Sequence, residues 1–224
     1  PQVFAELGAS VVEVGTEPDG FNINEGVGST SPAALQEKVL SEQADAGIAF
    51  DGDGDRVQCV AADGSVVDGD ELLFIIAMDR VRRGGIVEGV VGTQMTNLGM
   101  EQGLAEHGIS LVRASVGDRH VLAAMSKKGW LLGGEASGHI ICRDLATTGD
   151  GIIAALQVLA AMIGSGESLL SLKSGMCKLP QTMINVPIAA GFELTQCAPA
   201  LAESERVEAL LADRGRLVLR PSGT

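Results

Sequence analysis

Asp51-Gly52-Asp53-Gly54-Asp55-Arg56 follows directly on the apolar run Ala46-Gly47-Ile48-Ala49-Phe50. Three carboxylates at i, i+2 and i+4 repel one another unless a cation sits among them. The intervening glycines carry no Cβ, so the backbone can fold the three side chains toward one point. Oxygen donors of this kind suit a hard cation, and Mg²⁺ is the natural occupant. Carboxylate-held Mg²⁺ usually keeps a position open for a phosphate oxygen, so Asp51, Asp53 and Asp55 point to phosphoryl chemistry. A solvated acidic turn is the plain alternative; the glycine alternation and the apolar strand in front of it argue against that. A calcium loop of the EF-hand kind needs Gly at its sixth position and Glu at its twelfth. Arg56 and Ala62 stand there, and that reading fails.

Gly133-Gly134-Glu135-Ala136-Ser137-Gly138-His139 lies between two apolar segments. In extended geometry Glu135, Ser137 and His139 project to one side. A carboxylate beside a hydroxyl can read adjacent sugar hydroxyls, each of which donates and accepts. His139 is a candidate proton shuttle or phosphate contact; a glycine-rich turn with a backbone-satisfied His is the competing reading. Val116-Gly117-Asp118-Arg119-His120 opens a helix, where anions are favoured and Arg119 adds a permanent cation. Ordinary capping by Asp118 would also account for it. Thr147-Thr148-Gly149-Asp150-Gly151 reads as plain helix-start chemistry. Arg220-Pro221-Ser222-Gly223-Thr224 combines a guanidinium, two hydroxyls and a glycine amide, a set able to wrap a phosphate; a disordered end is the alternative.

Strand and helix signals alternate along the chain, the mark of α/β architecture. Strands are expected at 10–14, 48–50, 86–91, 111–114, 130–132, 140–142, 182–188 and 216–219, with a hairpin over 57–67 turning at Asp63-Gly64. Helices are expected from Ser31-Pro32 to about Gln43, over 71–83 capped by Asp70, 97–107, 118–128, 150–163 capped by Thr148, after Ser168, and over 200–213. Residues 17–30 form a polar loop, and a second unit begins near Asp70.

The chain has 224 residues and 46% apolar content, enough for one large domain or two small ones with real cores. Its net charge of −13 argues against a nucleic-acid footprint and means that an anionic substrate must be caught by local cations. No apolar run reaches membrane-span length and no signal peptide is visible, so no membrane partner and a cytoplasmic protein are expected. Cys59, Cys142, Cys177 and Cys197 make no CxxC pair and read as buried, reduced thiols, and the three histidines form no zinc spacing with them. Neither Pro1 nor Thr224 looks like a natural terminus, and a fragment is expected.

The Asp loop, the Gly-Glu-Ala-Ser-Gly-His loop and the Arg-Pro-Ser-Gly-Thr loop, in this order and spacing, resemble the α-D-phosphohexomutase superfamily. Glu17-Pro18-Asp19-Gly20-Phe21-Asn22-Ile23-Asn24, Val116-Gly117-Asp118-Arg119 and Thr147-Thr148-Gly149-Asp150-Gly151 are similar to its bacterial phosphoglucosamine mutase branch. The resemblance spans essentially the whole chain. It implies tandem α/β domains, mixed sheets flanked by helices, plus part of a C-terminal α+β domain. Residues 1–70 would be most of the second of four domains, 71–178 the third and 179–224 the front of the fourth. The implied reaction interconverts glucosamine 6-phosphate and glucosamine 1-phosphate through a phosphoserine and a bisphosphate, toward UDP-N-acetylglucosamine and peptidoglycan.

On that resemblance Asp51, Asp53 and Asp55 hold Mg²⁺ and Arg56 steadies the phosphoserine. Glu135 and Ser137 grip sugar hydroxyls, and His139 lies near the reacting end. Arg119, Arg56 and His139 make up the catalytic set, and Arg220, Ser222, Gly223 and Thr224 clamp the non-reacting phosphate. The expected partner is a small sugar phosphate, and the resemblance leaves room for a homodimer of the full-length parent. Three departures stand out. No Ser-His-Asn-Pro-like loop is present, the terminal loop lacks its following Glu, and His120 replaces a common Tyr. The chain alone is therefore expected to be inactive. The alternatives are a phosphomannomutase or phosphoglucomutase of the same superfamily, or a non-catalytic metal- and sugar-phosphate-binding fragment.

Overall fold

The computed structural model describes residues 1–189 and 192–220. After a short helix α1 (Gln2–Glu6) and the polar loop, α2 (Ala33–Glu42) leads into strand β1 (Ala46–Phe50). β1 pairs antiparallel with β2 (Val57–Ala61), Ile48 opposite Cys59 and Phe50 opposite Val57, and β2 pairs with β3 (Val66–Val67). The six residues between β1 and β2 are the Asp loop, so the carboxylates sit on a hairpin tip. The β2–β3 turn falls at Asp63-Gly64 as expected, with Asp63 accepting from the Ser65 N–H at 2.9 Å.

The second sheet has the order β5-β4-β6-β7. β4 (Gly89–Thr93), β5 (Ser110–Ala114) and β6 (Leu132–Gly134) are parallel, joined through α4 (Leu98–Glu106) and α5 (Asp118–Lys128). β7 (Ile140–Cys142) returns antiparallel beside β6. β4 is buried along its whole length, as an apolar strand covered on both faces must be. α5 covers one face, where Val121 and Met125 meet Val91, Ala114 and Ile141. The other face carries α3 (Gly69–Arg82), α4, α6 (Gly151–Ser165) and α7 (Leu169–Lys173). The fold is mixed α/β, with helices flanking mixed sheets.

Leu72-Leu73-Phe74-Ile75-Ile76-Ala77 of α3 are all at most 2% exposed. A helix apolar all round belongs inside a core. α3 packs on β2 of the first sheet and β6 of the second, and on α4, α6 and α7, so one helix unites the two sheets. Its cap is Asp68, not Asp70. The Asp68 carboxylate accepts from the Asp70 and Glu71 N–H groups while Glu71 reaches back to the Asp68 N–H, a capping box. Asp70 instead turns inward, 1% exposed, and one oxygen accepts from the Asn97 N–H at 2.8 Å. Burial pushes its carboxyl up to about 6, against the Asn97 hydrogen bond, which lowers it; Asp68 adds to the rise, while Lys178 and Arg113 oppose it.

Several expectations are corrected. Residues 10–14 form no strand, with Val11 and Val12 37% and 48% exposed. Residues 182–188 and 216–219 form none either. An alternating run becomes a strand only beside a partner, and none pairs with these among the described residues. The strand expected at 86–91 is shifted to 89–93, leaving Ile86 exposed. The strand expected at 130–132 is Leu132–Gly134, so Gly133-Gly134 are strand and the turn comes later. α2 begins at Ala33 with Pro32 at the cap position, and Asp150 caps α6 in place of Thr148. Helix α8 (Ala198–Leu211) is found near its expected place, without a buried residue. Cys59 and Cys142 are buried, their thiols pushed up by desolvation to about 12 and about 11, but Cys177 is exposed and Cys197 partly so.

The two sheets touch where the β6–β7 turn crosses the end of the Asp loop. Val57 N–H donates to the Gly138 carbonyl at 3.1 Å. Gly138 has φ +95, and a Cβ there would run into the Val57 carbonyl. Two expectations follow. Gly138→Ala loses at least about 2 kcal/mol in urea unfolding beyond Gly129→Ala, which carries the positive-φ penalty without a clash; equal losses would show that the crossing does not constrain the fold. Asp70 carries the second. Its folded value lies above its unfolded one, so its stabilising contribution is complete below about pH 4 and is lost as pH rises through about 6. Asp70→Asn keeps the acceptor for Asn97 and should gain up to about 3 kcal/mol relative to the unaltered chain between pH 4 and pH 8; a pH-independent difference would contradict it.

Candidate functional site

The Asp loop closes as a hairpin through its own backbone. Gly54 N–H donates to the Asp51 carbonyl at 3.2 Å, and Arg56 N–H donates to Asp51 Oδ1 at 3.2 Å. The side chains then part. Asp51 faces the Arg56 guanidinium at 3.8 Å. Asp53 is exposed. Asp55 Oδ2 meets His139 Nδ1 at 3.0 Å, while Asp55 Oδ1 is buried without a partner among the described residues. Among the described residues no three His, Cys, Asp or Glu side chains gather as a metal group. The expected convergence of Asp51, Asp53 and Asp55 on one point is thus not the arrangement seen. Two of the three carboxylates are turned to different partners, Asp51 to Arg56 and Asp55 to His139. The donor set still fits a hard cation, because the oxygens are carboxylate and one of them is a buried acceptor left unsatisfied.

Around this loop the other motifs collect. Residues 135–138 form a turn, with Gly138 N–H donating to the Glu135 carbonyl at 2.9 Å. Glu135, Ser137 and His139 therefore do not project from one extended edge. Glu135 Oε1 accepts from the Gly117 N–H at 2.9 Å, at the start of α5. Ser137 is exposed, and His139 is 4% exposed and turned to the Asp loop. His139 also forms a backbone bridge with Arg56. The first turn of α3 supports the same loop, since Gly69 N–H donates to the Ala136 carbonyl at 3.1 Å.

Arg119 stands exposed in the first turn of α5, its Nε donating to His120 Nε2 at 3.4 Å. Arg56 is also well exposed. These are two of the local cations that an acidic chain needs in order to hold an anion. Arg220 is exposed, and no described contact joins it to the loop cluster. Ser222, Gly223 and Thr224, with Pro221, lie outside the described residues.

The Thr147–Gly151 motif proves to be more than a helix start. Gly151 N–H donates to the Gly54 carbonyl at 2.9 Å, which seats the start of α6 on the Asp loop. Gly149 packs against the His139 ring so closely that a Cβ would overlap it. The only signal for this in the sequence was the pair of glycines flanking Asp150. A second missed feature is the strap at residue 178. Asn97 Oδ1 accepts from Leu179 N–H at 3.0 Å, and Asn97 Nδ2 donates to the Leu179 carbonyl at 2.7 Å. Lys178 pairs with Asp68 at 2.6 Å and Glu71 at 3.1 Å. Desolvation works against the Lys178 charge, but these two carboxylates outweigh it and hold its pKa above the usual lysine value. Arg113 braces the neighbouring turn, donating to the Thr96 carbonyl at 2.7 Å and pairing with Glu101 at 2.6 Å.

A family profile described as phosphoglucomutase/phosphomannomutase, alpha/beta/alpha domain III, matches residues 68–179. The chain is 54% identical to phosphoglucosamine mutase of Aeromonas hydrophila over 224 residues, covering 100% of this chain and 50% of that protein. A phosphoglucomutase/phosphomannomutase family protein from Burkholderia thailandensis superposes with a TM-score of 0.68 at 27% identity, over 79% of this chain and 39% of that one. The N-acetylphosphoglucosamine mutase of Aspergillus fumigatus, solved in complex with GlcNAc-6P and magnesium, shares the fold with a TM-score of 0.71 at 20% identity, over 90% of this chain and 51% of that one. The chain spans about half the length of the curated relatives it matches. This chain belongs to the phosphoglucomutase/phosphomannomutase family.

Proposed function

We propose that this chain supplies the metal-binding and sugar-binding portions of a phosphoglucosamine mutase, which interconverts glucosamine 6-phosphate and glucosamine 1-phosphate. The observation that carries this reading is the joining of the Asp loop to the Glu135–His139 turn through Val57–Gly138 and Asp55–His139. Such a junction supports a reading in which a divalent cation and a sugar would be bound side by side. The 54% identity to a phosphoglucosamine mutase supports the amino sugar as substrate. On this reading residues 1–70, 71–178 and 179–224 belong to the second, third and fourth domains of a cytoplasmic protein. Among the described residues no helix is long and apolar enough to cross a membrane.

Asp51, Asp53 and Asp55 would hold Mg²⁺, which when bound neutralises charge on a transferring phosphoryl group. Arg56 and Arg119 attract and orient the phosphate. Glu135 and Ser137 bind sugar hydroxyls, with the Gly117 N–H fixing the Glu135 carboxylate. Arg220, Ser222, Gly223 and Thr224 anchor the distal phosphate, so that remote binding positions the reacting end. The phosphoryl group passes from a phosphoserine outside this chain to the sugar, and the bisphosphate reorients before returning the other phosphate.

The full-length protein should turn over glucosamine phosphate with a higher kcat/KM than glucose or mannose phosphates in a coupled assay. Preference for glucose or mannose phosphate would move it to the phosphoglucomutase or phosphomannomutase reading. Asp53→Asn should lower kcat by about 10²–10³-fold, and Ser137→Ala should raise KM more than it lowers kcat. Unchanged turnover in both variants would overturn the site assignment.

A further inference from the structure

We propose that His139 is a positioning residue for the cation, holding Asp55 through Nδ1 and thereby coupling the sugar-binding turn to the metal-binding loop. This rests on the reading of Asp51, Asp53 and Asp55 as cation ligands. The imidazole is 4% exposed. Nδ1 lies 3.0 Å from Asp55 Oδ2. A carboxylate only accepts, so the ring proton belongs on Nδ1. Nε2 is buried and has no partner among the described residues. With the proton on Nδ1, Nε2 is a bare lone pair, and no N–H is stranded.

The ring has little freedom to do anything else. The Gly149 backbone lies against it, and no larger residue would fit there. Its own backbone is fixed at both ends, bridged to Arg56 and accepting from the Glu135 N–H at 3.0 Å. Nε2 is therefore sealed from the surface in this arrangement, and the side chain acts through Asp55. The consequence falls on the other carboxylate oxygen. Oδ2 is occupied by the imidazole, and Oδ1 is the buried acceptor that a cation would satisfy. Hydrogen bonds to a ligating carboxylate orient it, and losing such a partner typically costs metal affinity.

His139 belongs to the turn that carries Glu135 and Ser137. A ligand that binds this turn better when Asp55 is held in its metal-binding orientation gains from the bound cation. By linkage, sugar phosphate must then tighten cation binding by the same factor as the cation tightens sugar phosphate binding.

The test uses the full-length protein, with Mn²⁺ as the probe and its free-ion EPR signal as the readout. Asn places an amide nitrogen near the position of Nδ1, whereas Gln places one near Nε2. His139→Ala and His139→Gln should weaken Mn²⁺ binding by about 10-fold or more, and His139→Asn should restore it to within a few-fold of the unaltered protein. Glucosamine 6-phosphate should lower the Mn²⁺ Kd of the unaltered protein and of His139→Asn. It should lower that of His139→Gln by a distinctly smaller factor. Should His139→Ala not fold, the Asn and Gln variants decide alone. Equal affinities in all variants, rescue by Gln in place of Asn, or no effect of the sugar phosphate on the unaltered protein would each overturn the proposal. Absence of Mn²⁺ binding by the unaltered protein would instead remove the metal-site reading and the proposal with it.

Discussion

Two hairpin tips touch with no side chain between them. Most of the site depends on that approach. The Val57 N–H and the Gly138 carbonyl can meet only because position 138 has no Cβ. Once they meet, His139 falls beside Asp55, and Arg56 falls into register with His139. The loop then has counter-groups for carboxylates that would otherwise only repel one another. The start of α6, seated on Gly54, braces the Asp loop from a third direction. Backbone carbonyls and amides make these joints, so the geometry does not depend on long, mobile side chains.

α3 makes the approach possible. It packs on both sheets at once, and its buried run from Leu72 to Ala77 leaves it no alternative seat. Its first turn touches the Glu135–His139 turn through Gly69, and the strap at residues 178–179 through Asp68 and Glu71 directly and through Asp70 by way of Asn97. A chain of net charge −13 would repel an anionic sugar phosphate as a whole. Exposed Arg56 provides local attraction beside the carboxylates, where a hard cation would reverse the sign of the field, and Arg119 adds a cation at the start of α5.

Elements whose stop signals and partners lie close in sequence were legible. α5 runs from Asp118 to Lys128 as expected, because Gly117 and the left-handed Gly129 bound it. β1 and the Asp loop were legible from an apolar run meeting alternating glycines. Local pattern failed where the outcome depends on something distant. Residues 10–14 and 182–188 alternate like strands but lie beside no strand edge among the described residues. The Glu135–His139 alternation suggested a common face, yet the turn ending at Gly138 sends Glu135 to α5 and His139 to the Asp loop. Asp70 looked like a cap because it precedes an apolar run; the true cap, Asp68, is distinguished by the reciprocal Glu71 contact. The Thr147–Gly151 motif looked like ordinary helix-start chemistry, since nothing nearby in sequence reveals that its glycines face Gly54 and His139.

The most direct test of this account is amide hydrogen exchange by NMR on three N–H groups: Val57, Gly69 and Gly151. Each donates across a joint, to Gly138, Ala136 and Gly54 respectively. If the loops form one rigid unit, all three should exchange as slowly as the core amides of β4 and α3. Fast, loop-like exchange at these positions beside a protected core would show that the loops move independently, and would contradict the account.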